Sequence, residues 1–133
     1  MTRDSLPDRL SETRLSVDPQ SVRLYAQITD DFNPIHLDPE FAKKTMMGGI
    51  IAHGTMSLNL IWQALRASMA AEQVRSLELA VKFVRPVRLH DTVTAGGTKR
   101  DDNPVYDVWV RNQKGEDVIS GTATFRQSST GAA

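Results

Sequence analysis

The chain of 133 residues contains no cysteine. It also carries no net charge, because 16 Lys and Arg residues balance 16 Asp and Glu residues. The absence of cysteine excludes disulfides, thiolate metal sites and a cysteine nucleophile. A balanced charge provides no net field that would attract nucleic acid or an anionic membrane. The N-terminus lacks the apolar run of a signal peptide, and polar residues interrupt the longest apolar segment. We therefore expect a cytoplasmic protein with no nucleic-acid partner and no membrane association.

Several motifs that mark common enzyme chemistries are also missing. The chain has no GxSxG elbow, no P-loop and no GxGxxG. Nothing therefore indicates serine hydrolysis, nucleoside triphosphate chemistry or dinucleotide binding. The three histidines, His36, His53 and His90, lack a tight ligand spacing along the chain. We accordingly predict no metal site.

Helix start signals dominate the N-terminal half of the chain. Asp18-Pro19 and Asp38-Pro39 each place an aspartate at an N-cap position, directly before a proline that suits the first helical position. The predicted helices span residues 19–29 and 39–44, with a loop over residues 30–37 between them. Loops that are held between two helices often carry functional side chains.

His53-Gly54 opens a longer predicted helix that runs to about residue 69, and its apolar residues predict burial on nearly all sides. Strands are predicted at residues 14–17, 77–83, 91–100, 105–112 and 117–126. This order favours an α+β fold in which an antiparallel meander wraps around the long helix. The whole chain, residues 1–133, is expected to form one domain with loose tails at about 1–12 and 127–133. Open sheet edges favour a homodimer.

The stretch TDDFNPIHLD, residues 29–38, contains more chemistry than a turn requires. Asn33-Pro34 restricts the backbone between Asp31 and His36 and allows the carboxylate and the imidazole to approach one another. Such a pair can take a proton from a water molecule and return one elsewhere. The alternative is ordinary turn chemistry, with Asp31 ending a helix and His36 a plain loop residue.

Gly54 lies at the expected first turn of the long helix, where backbone N–H groups are free and the helix dipole is positive. This position suits stabilisation of a negative charge on a carbonyl or thioester oxygen. The alternative is that Gly54 only permits close packing. His53, beside the positive end of the helix, is interpreted as a neutral structural residue. Basic residues near the strand ends form either a solvated rim or contacts to a phosphate-bearing ligand; they are Lys82, Arg85, Arg88, Lys99 and Arg100.

The segments DDFNPIHLDPEFAKKT and GGIIAHGTMSLNL resemble the MaoC-like, (R)-specific enoyl-CoA hydratases of the hot-dog fold. The family pattern is roughly D-x-N-P-x-H, followed after a spacer by H-G at the start of the central helix. Here the pattern is met by Asp31, Asn33, Pro34, His36, His53 and Gly54. The later segment VKFVRPVRLHDTVTA also looks like the family, with His90 where glycine is usual. The resemblance covers about residues 16–125.

The resemblance implies that Asp31 and His36 activate water, that Asn33 braces the loop and that the Gly54 amide polarises the thioester carbonyl. The implied reaction is the reversible hydration of a trans-2-enoyl-CoA to an (R)-3-hydroxyacyl-CoA in fatty acid metabolism, without a cofactor. Trp62 stands where several members of the family carry a smaller side chain. Trp62 is therefore a candidate acyl-pocket residue that would limit the length of the acyl chain that the enzyme accepts. The alternative is that it is an ordinary core residue.

Three alternatives remain open. A hot-dog acyl thioesterase is disfavoured because residues 54–71 contain no Asp or Glu that would serve as its acid. A non-catalytic acyl-thioester binding domain is disfavoured by the presence of both Asp31 and His36. A dehydratase that acts on acyl-carrier-protein substrates is the third, and the balanced charge does not decide between CoA and carrier protein.

Overall fold

The computed structural model describes residues 6–101 and 104–126. Its helices are α1 (Pro19–Thr29), α2 (Pro34–Leu37), α3 (Pro39–Lys43), α4 (Gly54–Ser68) and α5 (Ala71–Arg75). Its strands are β1 (Thr13–Ser16), β2 (Leu77–Phe83), β3 (Thr92–Lys99), β4 (Val105–Arg111) and β5 (Asp117–Phe125). The predicted helices and strands are confirmed to within one or two residues. The predicted α+β class, one antiparallel sheet packed on a long helix, is also confirmed.

The sheet order is β1-β3-β4-β5-β2, and every neighbouring pair is antiparallel. The prediction of a simple meander is wrong for β2, which pairs along its whole length with β5 instead of β3. The two strands approach closely because Gly121 has no side chain: an added Cβ would lie 2.0 Å from the Ala80 carbonyl oxygen. Strands β1 and β2 are consequently the two edges of the sheet.

Helix α4 packs against β1, β3 and β4 through one face. The buried residues of this face recur at helical spacing; they are Met56, Ser57, Leu60, Ile61, Ala64 and Leu65. The expectation of burial on nearly all sides is wrong, because the opposite face is exposed in the single chain at Thr55, Asn59, Gln63 and Arg66. The helix is therefore amphipathic, as a helix that covers one side of a sheet should be.

The three short helices before α4 all begin with the same signal. Asp18, Asn33 and Asp38 each accept a hydrogen bond from a backbone N–H of the first turn, and each precedes a proline. The Asn33-Pro34 step starts α2, so the segment predicted as a loop over residues 30–37 contains a helical turn. A side-chain cap and a proline with a preset φ together make so short a helix stable enough to form.

Residues 6–10 belong to the fold, which corrects the expectation of a loose tail up to about residue 12. Leu10 is buried, and its N–H donates to the Gly97 carbonyl at 3.0 Å. The Tyr106 hydroxyl donates to the Pro7 carbonyl. The other expected tail segments, residues 1–5 and 127–133, lie outside the described residues. None of the helices in the described ranges is long and apolar enough to cross a membrane.

Candidate active site

The end of α1 and the start of α2 position Asp31. Helix α1 ends at Asp30, whose backbone is left-handed with φ 56°, and the Asp31 N–H donates back to the Ala26 carbonyl at 3.1 Å. The Asn33 N–H then donates to the Asp31 carboxylate at 3.2 Å, while the Asn33 side-chain oxygen accepts from the Ile35 N–H at 3.0 Å. Asn33 thus contacts both sides of the turn. It connects Asp31 to the helix that carries His36.

His36 and His53 connect two separate segments, because each donates a hydrogen bond to a backbone carbonyl of the other's segment. The His36 Nδ1–H donates to the carbonyl of Ile51 at 2.7 Å, and the His53 Nε2–H donates to the carbonyl of Asp31 at 3.0 Å. The two rings stack with their centroids 3.9 Å apart and an angle of 25° between their planes. Each segment therefore orients the histidine of the other, and neither ring can turn without breaking a hydrogen bond to backbone.

These hydrogen bonds determine which nitrogen of each ring carries the proton. A carbonyl accepts only from N–H, so neutral His36 is protonated at Nδ1 and keeps a lone pair at Nε2. Neutral His53 likewise keeps its lone pair at Nδ1. That atom is buried and has no hydrogen-bond partner within the part of the chain that the structure describes. His36 thus retains an acceptor for chemistry, whereas the unprotonated nitrogen of His53 is buried.

The second nitrogen of His53 lies in a packed environment. The ring is only 3% exposed, and the Tyr25 ring meets it edge-on with centroids 5.0 Å apart. The Tyr25 hydroxyl donates to Thr55 Oγ1 at 2.6 Å and accepts from Asn59 Nδ2 at 3.3 Å. Through this chain of contacts, α1 supports the histidine at the beginning of α4. The contacts fix the position of His53 and, through it, the backbone of Asp31.

One carboxylate oxygen of Asp31 and one ring nitrogen of each histidine lie within 4.8 Å of one another. The three groups are therefore close enough to contact one small polar ligand together, such as a water molecule. The argument that the histidines lack a ligand spacing is wrong for His36 and His53, because the fold brings together what the sequence separates. A metal ion would also fit such a group.

A cavity of about 370 Å³ adjoins this group. His36, His53 and Gly54 contribute its polar end, and Met47, Phe83 and Val84 belong to its predominantly apolar wall. Gly54 is the first residue of α4, so its N–H is free of the helix hydrogen-bond ladder. The cavity thus brings a histidine nitrogen, a helix N-terminus and an apolar surface into contact with one ligand. Asp31 is exposed beside it.

The sequence did not indicate two residues of this cavity. Phe83, at the end of β2, is 57% exposed and lies against Gly54, where an added Cβ would be 3.0 Å from the phenyl ring. Ser57, 2% exposed on α4, also lines the cavity. Ser57 follows Gly54 by three residues, which is the helical spacing that could have placed it on the same face.

Two other residues considered in the sequence lie outside this cavity. Trp62 is partly buried and packs against the hydrophobic core further along α4, and its acyl-pocket role stays a prediction. His90, which stands where the family usually has glycine, lies in the turn before β3 with φ 71°.

An antiparallel sheet packed on a long helix, with a cavity at the beginning of that helix, defines a protein of the hot-dog class. The model of the MaoC like domain matches residues 6–120 of the chain. The chain therefore belongs to the MaoC-like domain family, as its motifs indicated.

Relatives of known name support this assignment. The chain is 31% identical over 110 residues to an (R)-specific enoyl-CoA hydratase from Aeromonas caviae. The aligned region covers 79% of this chain and 82% of that protein. It is 30% identical over 117 residues to 3-hydroxyacyl-thioester dehydratase Z from Mycobacterium tuberculosis, covering 87% and 71% of the two chains. The structure of an unliganded R-hydratase from Pseudomonas aeruginosa superposes with a TM-score of 0.73 at 25% identity, over 93% of this chain and 83% of that one.

Proposed function

We propose that the protein catalyses the (R)-specific, reversible hydration of trans-2-enoyl-CoA thioesters to (R)-3-hydroxyacyl-CoA. The enzyme class, a hydratase or dehydratase, follows from the family and from the names of its relatives. The observation that carries the finer proposal is the proximity of Asp31 to His36, with ligand atoms within 4.8 Å of one another, where His36 and Gly54 line the same cavity.

The proposed chemistry uses these groups in turn. A water molecule held by Asp31 and His36 attacks Cβ of the enoyl thioester, and the pair returns a proton to Cα. Negative charge collects on the thioester oxygen during the addition, where the free Gly54 N–H at the positive end of α4 would stabilise it. Only water and protons move in this reaction, so it requires no redox cofactor. The water would meet one face of the double bond, which gives a single hydroxyl configuration.

The test is the loss of the enoyl-thioester absorbance of crotonyl-CoA in wild-type protein and in Asp31→Asn and His36→Ala. Each substitution is expected to lower kcat by roughly 10²- to 10⁴-fold. The double variant should be little worse than either single variant, because the two groups act as a unit. His90→Asn is the matched control, since asparagine tolerates the left-handed backbone of that turn.

The product distinguishes this proposal from the alternatives. Formation of (R)-3-hydroxybutyryl-CoA that collapses in both variants supports it. Release of free CoA without hydration would identify a thioesterase. If the crotonyl thioester of an acyl-carrier protein is turned over and crotonyl-CoA is not, the protein is a dehydratase that requires a carrier protein. The proposed setting is fatty acid metabolism in the cytoplasm.

We also propose that the protein works as a homodimer. Among the described residues, β1 and β2 each pair with a strand on one side only, and apolar side chains are exposed at the end of β2, including Phe83 at 57% and Val84 at 51%. Such an edge presents unpaired backbone groups that can pair with a second chain. Sedimentation equilibrium should yield twice the chain mass of 14.8 kDa. A monomer mass at assay concentrations would contradict the proposal.

A further inference from the structure

A second, polar cavity adjoins the candidate active site. Its volume is about 290 Å³, and it lies between the segment that follows β2 and the β4–β5 hairpin. Arg85 and Pro86 line both cavities, so the two share a wall. The two cavities therefore lie side by side, on either side of Arg85 and Pro86.

Two cations of the second cavity are available to a ligand. Arg88 and Lys114 line it, and both are exposed. Among the described residues, no carboxylate lies within ion-pair distance of either side chain. Arg85 is different, since its Nη1 donates to the Asp117 carbonyl at 2.6 Å. Arg85 thus connects the end of β2 to β5. Its side chain is held by this hydrogen bond, and its charge adds to the positive charge of the cavity.

The acidic residues of the cavity are already engaged by neighbouring donors. Asp91 accepts from the Arg88 backbone N–H and from Gln113 Nε2, both at 2.8 Å. Glu116 accepts from Asn112 Nδ2 at 2.9 Å, and its other oxygen is 3.9 Å from Arg85 Nε. These bonds hold the loop and the hairpin together. They leave three cations against two carboxylates, and the two cations without acidic partners are free to bind an anion.

Arg88 also reaches toward the first cavity. A Cβ added to Gly49 would lie 3.7 Å from Arg88 Nη1, which places the guanidinium beside the segment that includes Met47 and Ile51. Met47 and Ile51 line the first cavity. The guanidinium is therefore next to the wall of the candidate active site, while Lys114 lies on the hairpin on the other side of the polar cavity.

We propose that this polar cavity binds a phosphate group of the thioester carrier through Arg88 and Lys114. The inference rests on the proposed function, which places the thioester at Gly54. In CoA the pantetheine arm separates the sulfur from the phosphates, so the phosphates must lie outside the acyl cavity. A guanidinium and an ammonium without acidic partners are suited to a phosphate, which accepts charge-assisted hydrogen bonds from both. The shared chemistry is a phosphate on a pantetheine arm, from CoA or from a prosthetic group.

The experiment compares substrates with and without phosphate. Arg88→Ala and Lys114→Ala are assayed with crotonyl-CoA and with the crotonyl thioester of N-acetylcysteamine, which has no phosphate. For crotonyl-CoA each substitution should raise KM roughly three- to fivefold, and the double variant about tenfold, with kcat unchanged. For the phosphate-free thioester kcat/KM should not change. Arg88→Lys should retain most of the affinity, and Arg14→Ala, an exposed cation on β1, is the matched control.

The crotonyl thioester of 4′-phosphopantetheine distinguishes the sources of the phosphate. If KM rises in the variants with both this thioester and crotonyl-CoA, Arg88 and Lys114 bind the phosphate of the pantetheine arm. If KM rises with crotonyl-CoA alone, they bind the phosphates of the nucleotide. The proposal is overturned if the double variant behaves like Arg14→Ala with both esters. It is also overturned if KM rises equally for the phosphate-free thioester.

A separate measurement keeps this inference apart from the proposed reaction. Binding of CoA to wild-type protein and to the double variant is followed by calorimetry, which needs no turnover. If wild-type protein hydrates no thioester but binds CoA, and the double variant binds it at least fivefold more weakly, the reaction is wrong and the phosphate site stands. If wild-type protein hydrates the phosphate-free thioester but does not bind CoA, the reaction stands and the phosphate site is refuted.

Discussion

Substitution of Gly54 by alanine separates the stability of α4 from the proposed role of its first amide. A Cβ at this position would lie 3.0 and 3.3 Å from two carbons of the Phe83 ring. These distances are shorter than the ordinary contact of about 3.5–4.0 Å between carbons, so the ring must move by roughly 0.5 Å. Because Phe83 is 57% exposed, the ring has room to swing outward.

The fold should therefore tolerate the methyl group. Alanine is favoured over glycine in helices by up to about 1 kcal/mol, which offsets the small cost of moving the ring. We expect the free energy of unfolding to change by less than about 1 kcal/mol, and Tm by no more than roughly 5 °C. Chemical denaturation and differential scanning calorimetry measure these two quantities.

Catalysis should respond very differently. The methyl group would occupy the space between Gly54 and Phe83, on the wall that the thioester carbonyl must approach. A displacement of about 1 Å from the reactive geometry costs on the order of 10²-fold in rate, so kcat/KM for crotonyl-CoA should fall by about that factor. Gly49→Ala is the matched control, because its Cβ would make only an ordinary 3.7 Å contact with Arg88.

Two results would refute this reasoning. A folded Gly54→Ala variant whose kcat/KM stays within about threefold of wild type would show that the thioester oxygen does not lie at this amide. A variant that loses several kcal/mol of stability would show that Phe83 cannot yield, and the steric part of the argument would then be wrong.

Three further predictions test the site and the fold. Treatment with EDTA should leave kcat/KM unchanged, because the proposed mechanism holds the water with Asp31 and His36 alone; a loss that Zn²⁺ restores would assign the group to a metal. If Trp62 limits the acyl pocket, Trp62→Ala should raise kcat/KM for long-chain relative to short-chain enoyl-CoA, and an unchanged ratio would make Trp62 a core residue only. Burial, assisted by the charge of Asp8, raises the pKa of Tyr106 to about 12, whereas an unfolded tyrosine titrates near about 10. The folded state holds this proton more tightly, so stability should fall as pH rises from about 10 to about 12. The unfolding free energy of Tyr106→Phe should not show this fall at high pH. At neutral pH the variant should be about 1 kcal/mol less stable, because it lacks the hydrogen bond to Pro7. Chemical denaturation at several pH values measures both effects.

Local signals predicted most of the secondary structure. The Asp-Pro steps located the starts of α1 and α3, and the alternation of apolar and polar residues located the strands. The same Asx-Pro signal at Asn33-Pro34 was overlooked because a helix of four residues has almost no periodicity to accompany it. Helix α5, Ala71–Arg75, was missed for the same reason: it is five residues long and its N-cap, Ala70, has no oxygen in its side chain.

Non-local pairing was beyond the reach of local patterns. Alternation in residues 77–83 indicated a strand but not whether it joins β3 or β5, and the close approach at Gly121 is visible only in the assembled sheet. In the site, Asp31, His36 and Gly54 followed from motif and resemblance, and their roles stay proposals. The stacking of His36 on His53 could not be predicted, because 17 positions separate them in the sequence and only the packing of two segments brings them together.

The hydrogen bonds from His36 to the Ile51 carbonyl and from His53 to the Asp31 carbonyl make the six-residue motif from Asp31 to His36 incomplete on its own. A graft of that motif onto another scaffold would transfer the carboxylate and the imidazole, but not the Ile51 carbonyl that orients His36 from 15 residues away. The graft would need residues 51–53 at the same distance, with their carbonyl and imidazole turned back toward it. The stretch between the two segments contributes as well, because Ala42 of α3 is buried and Met47 lines the cavity. The two segments and their connection would therefore have to be moved as one piece.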